Sequence, residues 1–60
     1  MGRKLYSAIA TVNNSEKEWD VVIGKYESVK DAEESISRFK HQYEGTFIEV
    51  VKTEIRILGN

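Results

Sequence analysis

The chain has no cysteine. Disulfides, thiolate metal sites and cysteine nucleophiles are therefore excluded together, and the composition fits a reducing compartment. It has one histidine, His41, and a single imidazole does not make a metal site. Gly2, Gly24, Gly45 and Gly59 are isolated and none opens a helix, so there is no phosphate-binding loop. No apolar run exceeds three residues, as at Ala8-Ile9-Ala10 and Val21-Val22-Ile23, far short of a bilayer span. No apolar stretch follows the basic pair Arg3-Lys4, so no signal peptide is expected and the chain reads as cytoplasmic. Charge of one sign is also lacking. Nine basic and ten acidic side chains give a formal net charge of −1, whereas a dedicated nucleic-acid binder carries a basic excess. With 60 residues the chain is one domain. A domain of that size buries only about 60% of its unfolded surface, and with disulfides and metals set aside, oligomerisation is the remaining way to complete its core.

What is present is organised around the stretch from Ser28 to Gly45. Val29, Ala32, Ile36, Phe39 and Tyr43 recur at the spacing of one helix stripe. Ser28 precedes them as an N-cap, with Asp31 in the second position of a capping box. Asp31, Glu33 and Glu34 crowd the positive end of the helix dipole, and Arg38, Lys40 and His41 the negative end. Gly45 is placed to take the left-handed conformation that closes the last turn. The spacing predicts a helix over about 29–44.

Three strands surround it. The first, about 4–12, has no charge on either face after Lys4, which is how a central strand covered on both sides reads. Asn13 to Glu18 is polar and turn-favouring, and predicts an exposed hairpin loop. The second strand, about 19–26, is partly apolar on both faces, and its Gly24 signals a bulge or, more simply, a packing glycine beneath the helix. In the third, about 47–58, the alternation slips once, and a bulge at Val50-Val51 would bring its apolar residues to one side.

These elements give an α+β fold, a single ββαβ domain over residues 1–60. Its three-stranded sheet has the order 2-1-3, with one helix on one face. A sheet face holding some of Tyr6, Trp19, Ile23 and Tyr26 would then be left uncovered. Either that face meets a second copy, or the third strand pairs with its twin, so the sheet is expected to be completed by homodimerisation. Tyr6, Trp19, Val51, Ile55 and Ile57 are the candidate dimer interface.

No catalytic motif, cofactor site or metal site emerges, and an enzyme is not expected. A chain this small has little interior in which to shift a pKa. The dense acidic start of the helix, Glu27, Asp31, Glu33 and Glu34, is the candidate partner-binding surface, since a negative ridge can dock on a basic host protein. The alternative is a small nucleic-acid-binding or regulatory protein that stacks bases on Tyr6, Trp19 and Tyr26, although the glycine, aromatic and basic run of such sheets is absent.

In length and element order, and in the wording of Trp19-Asp20-Val21-Val22-Ile23-Gly24-Lys25-Tyr26 followed by the helix start Ser28-Val29-Lys30-Asp31-Ala32-Glu33-Glu34, the whole chain resembles the small ββαβ proteins of bacteriophages. These include a phage inhibitor of uracil-DNA glycosylase and several anti-defence proteins. The resemblance implies a dimeric inhibitor that binds and blocks a host enzyme or a bacterial immune protein. It transfers no functional residue to this chain.

Overall fold

A computed structural model describes residues 4–58 of the chain. The readings made on Gly2, Arg3 and Gly59 lie outside the described residues. The elements run β1 (Tyr6–Asn13), β2 (Glu18–Tyr26), α1 (Val29–Gln42) and β3 (Glu49–Ile57). They form one sheet in the order β2-β1-β3, with both outer strands antiparallel to β1. This is the α+β, ββαβ architecture expected from the sequence.

The hairpin between β1 and β2 is closed by Asn14. Its Oδ1 accepts from the backbone N–H groups of Glu16 at 2.8 Å and Lys17 at 2.9 Å, and its own N–H donates to Lys17 O at 3.0 Å. An asparagine side chain that imitates a backbone acceptor holds such a turn without positive φ.

α1 starts where the capping pattern places it. Ser28 is extended at φ −139 and ψ 153, and its Oγ accepts from Asp31 N at 3.1 Å. Ala32 and Ile36 carry the buried stripe, and with Ala8 they form the core. Tyr6, Ile23, Tyr26 and Ile55 pack around that centre. Alanine at positions 8 and 32, both fully buried, removes side-chain bulk and lets helix and sheet approach closely.

β1 is buried from Ser7 through Val12, on both faces, as a central strand should be. The two faces are covered differently. Ala8 packs beneath α1, and Ala10 and Val12 share its face. The opposite face holds Ser7, Ile9 and Thr11, flanked in register by Lys25, Val22 and Asp20 of β2 and by Arg56, Glu54 and Lys52 of β3. Cross-strand neighbours with long stems shield the small central side chains there while their charges stay in water. Thr11 Oγ1 also donates to Asp20 Oδ1 at 2.7 Å.

Two irregularities decide which residues share which face. Thr11 pairs with Lys52 and Val12 with Val50, so Val51 is the extra residue of a bulge in β3, at the place where the alternation slips. Ala8 pairs with Gly24 and Ile9 with Val22, so Ile23 is the extra residue of a second bulge, in β2. The second bulge corrects the expectation of an uncovered apolar face. It lets Trp19 and Val21 share a face with Gly24 and Tyr26, while Ile23 packs into the core beneath the helix. Tyr6, Ile23 and Tyr26 thus face the helix side, and the open face of the sheet is mixed and polar.

The ends of the elements differ from the sequence reading by one or two residues. α1 ends at Gln42, and its last turn tightens, with Tyr43 N donating to Lys40 O and Glu44 N to His41 O, each at 3.2 Å. Gly45 follows with φ +76, the left-handed closure expected of it. β3 begins at Glu49 rather than at Phe47.

Candidate functional site

The turn that follows α1 builds the most exposed apolar feature among the described residues. Thr46 fixes it: its N–H donates to Tyr43 O at 3.2 Å, its hydroxyl donates to the same oxygen at 2.7 Å, and its Oγ1 accepts from Ile48 N at 3.2 Å. With the backbone pinned on both sides, Phe47 projects outward and is 99% exposed. Beside it lies an open groove of about 550 Å³, lined among others by Lys40, Tyr43, Glu44, Ile48 and Val50. Tyr43 is held against Phe39 by an edge-to-face contact with ring centroids 4.9 Å apart. Such a pair contributes about 0.5–1.5 kcal/mol beyond its buried area and stiffens one wall of the groove. At the rim, His41 Nδ1 is 2.7 Å from Glu44 Oε1, with both side chains exposed.

Sequence reasoning missed this surface because Phe47 reads as the first residue of a β-branched strand. The signal was adjacent: a Gly-Thr turn leaves the next side chain outside the ladder.

Each residue singled out from the sequence has a definite place. Glu27, Asp31, Glu33 and Glu34 are all exposed around the start of α1, at the opposite end of the helix from Phe47. Asp31 gives its backbone N–H to the Ser28 cap, and Glu33 lines a shallow groove of about 350 Å³ with Ile36, Thr53, Glu54 and Ile55. Of the candidate interface residues, Tyr6 and Ile55 pack against the core of their own chain. Trp19 is 37% exposed, Val51 46% and Ile57 60%. Trp19 shares the face of Val12 near the hairpin end, whereas Val51 and Ile57 lie along β3. The candidates therefore divide between the core, the hairpin end and the β3 edge and do not form one patch.

Beneath the helix, the Tyr26 hydroxyl and Ser35 Oγ are hydrogen-bonded at 2.5 Å. The phenol crosses directly over Gly24: a Cβ there would stand 2.5 Å from the Tyr26 hydroxyl oxygen and 2.8 Å from Cζ. Gly24 is thus the packing glycine expected beneath the helix, with the bulge alongside it at Ile23. The open face of the sheet presents Lys25, Lys52 and Arg56 interleaved with Asp20 and Glu54. It offers neither a basic stripe nor the tyrosines needed for base stacking.

Among the described residues no cluster of three or more His, Asp or Glu side chains is placed to hold a metal ion. No helix among them is long and apolar enough to cross a membrane. No protein-family model, curated protein or solved structure matches the chain.

Proposed function

We propose that this chain is a non-enzymatic protein-binding module, a cytoplasmic homodimer that docks on a host enzyme or an anti-phage defence protein and blocks it. The small phage inhibitors that it resembles in length and element order work in this way. The observation that carries the reading is Phe47. Burying a phenylalanine side chain contributes about 1.5–3 kcal/mol, and this one is held outward by a hydrogen-bonded turn beside an open groove. Interfaces concentrate their energy in a few aromatic anchors that fill a partner's pocket, inside a rim that excludes water. The mixed charges of Lys40, Glu44 and Glu49 around Phe47 suit such a rim. Glu27, Asp31, Glu33 and Glu34 act at a distance from the anchor, where charge steers encounter more than it adds affinity. The nucleic-acid alternative has less to rest on, since Tyr6 and Tyr26 pack beneath the helix.

The test is capture from nuclease-treated bacterial lysate with tagged wild type, Phe47→Ala, and Glu33→Lys combined with Glu34→Lys. The expected result is one stoichiometric bound protein with the wild type, lost with Phe47→Ala and recovered with the charge reversal in a reduced amount that added salt lowers less than it lowers the wild type's. Equal recovery by Phe47→Ala, or material that disappears on nuclease treatment, contradicts the reading.

A further inference from the structure

We infer that the second copy is held by the free edge of β3, paired antiparallel to its twin about Ile55, so that Glu54 of each chain lies opposite Arg56 of the other. The inference rests on the homodimer in the proposed function and specifies how that dimer is built.

The backbone shows which residues of β3 are available. Leu58 N donates to Leu5 O at 2.8 Å, and these two residues stand directly opposite in the register that pairs Tyr6 with Ile57. In an antiparallel ladder, bonded and non-bonded pairs alternate. Leu58, Arg56, Glu54 and Lys52 therefore turn their N–H and C=O groups toward β1. Ile57, Ile55 and Thr53 turn theirs to the free edge. β3 is an outer strand, the Val51 bulge lies near its start, and the ladder from Lys52 to Ile57 is uninterrupted. The chain contains no proline with which to blunt that edge. α1 also lies over β1 and β2 more than over β3, which leaves the helix side of the edge accessible.

Side chains then choose among the two-fold registers. A two-fold axis perpendicular to the sheet requires one residue to stand opposite itself. Centring on Glu54 sets that carboxylate against its twin and Lys52 against Arg56, so every charged pair repels. Centring on Thr53 sets Lys52 against Glu54 but places the bulged Val51 opposite Ile55, where regular bonding fails. Centring on Ile55 places two Glu54–Arg56 pairs across the seam and stacks Ile55 on Ile55, with Ile57 against Thr53. Outward backbone groups of Ile55 with Ile55, and of Thr53 with Ile57, then meet as bonded pairs. Within one chain Arg56 Nη2 already lies 3.2 Å from Glu54 Oε1, and both side chains are more than half exposed, so the charges are free to be shared across the seam. The open face of the sheet, by contrast, bears rows of mixed charge in which Val22 is an isolated exposed apolar side chain, so it offers a second copy no continuous apolar surface.

Sedimentation equilibrium of four proteins tests the inference: wild type, Glu54→Arg, Arg56→Glu, and the double variant carrying both. Both altered positions are exposed, and circular dichroism verifies that each variant is folded. Each single reversal turns both cross-pairs repulsive, so the dimer should weaken about tenfold or more, and the double variant should recover wild-type association because the pairs are restored with signs exchanged. Dissociation by Glu54→Arg without rescue in the double variant, or a dimer indifferent to all three changes, overturns the Ile55 register while leaving the homodimer standing. A wild type that stays monomeric at the highest concentration overturns both.

Discussion

β2 and β3 flank the same central strand and run in the same direction, yet each departs from regularity at a different point. In β2 the extra residue, Ile23, falls in the second half of the strand, next to the Gly24 that the Tyr26 ring covers. In β3 the extra residue, Val51, falls at the start and leaves a regular run behind it. A bulge twists a strand locally and interrupts its outward pairing groups. One edge is thus committed inward, to the helix and the core, while the other keeps a continuous set of outward donors and acceptors. Similar strands with similar content acquire different roles from the position of a single inserted residue.

Substitutions that break this contrast should rank by how deeply each bulge is built into the core. All should be measured by urea unfolding at fixed chain concentration, because association shifts apparent stability. The largest loss is expected for Gly24→Val, whose side chain must displace the Tyr26 ring. About 2–4 kcal/mol is expected, against a total of roughly 3–9 kcal/mol for a chain of this length. Deleting Ile23 should cost a comparable amount, since regularising β2 removes a side chain packed against the core. Tyr26→Phe leaves the Ser35 hydroxyl unpaired under the helix and should cost about 1–2 kcal/mol. Ser35→Ala combined with it should cost less than the sum of the two single changes, because both remove one bond. Ser28→Ala removes the helix cap without touching either edge, so about 1 kcal/mol should be lost while the charge-reversal pattern at β3 stays the same. The smallest effect is expected for deletion of Val51. Lys52 would then follow Val50 in plain alternation, and stability should change by about 0.5 kcal/mol or less, with the fold retained in amide NMR spectra. A large loss on deleting Val51 would mean that the two bulges are not as different as their positions indicate.

The contrast also explains what could be read in the sequence. The Val51 bulge was visible because β3 carries a clear alternation on each side of the slip, with Lys52, Glu54 and Arg56 marking the polar face. The Ile23 bulge was not located because Val21-Val22-Ile23 is apolar throughout, and a slip inside a uniform run leaves no mark. Without it, β2 reads as apolar on both faces, which implies an uncovered apolar face where the structure has a mixed and largely charged one. The helix stripe was legible from its spacing, but Ser35 was passed over as polar although it lies one turn from Ala32 on the same side. It is buried because Tyr26 reaches it across Gly24, a contact between residues nine apart that no local pattern encodes. Phe47 was drawn into β3 by its β propensity, whereas the Thr46 hydroxyl ends the turn and holds it outside. Local patterns announce the elements, while the contacts that set the sheet's faces depend on tertiary approach, and the exposure of Phe47 on a short-range turn bond.

Amide hydrogen exchange compares the two edges most directly. Asn14 N donates to Lys17 O in the register that pairs Asn13 with Glu18, so Asp20 and Val22 are among the outward amides of β2 before the bulge. Those two should exchange rapidly at every protein concentration. The Ile55 amide, which faces the opposite edge, should be protected, and its protection should fade on dilution as the β3 pairing separates. If the Ile55 amide exchanges as fast as that of Val22 throughout, or is protected without regard to concentration, the free edge of β3 does not hold a second copy and the account is contradicted.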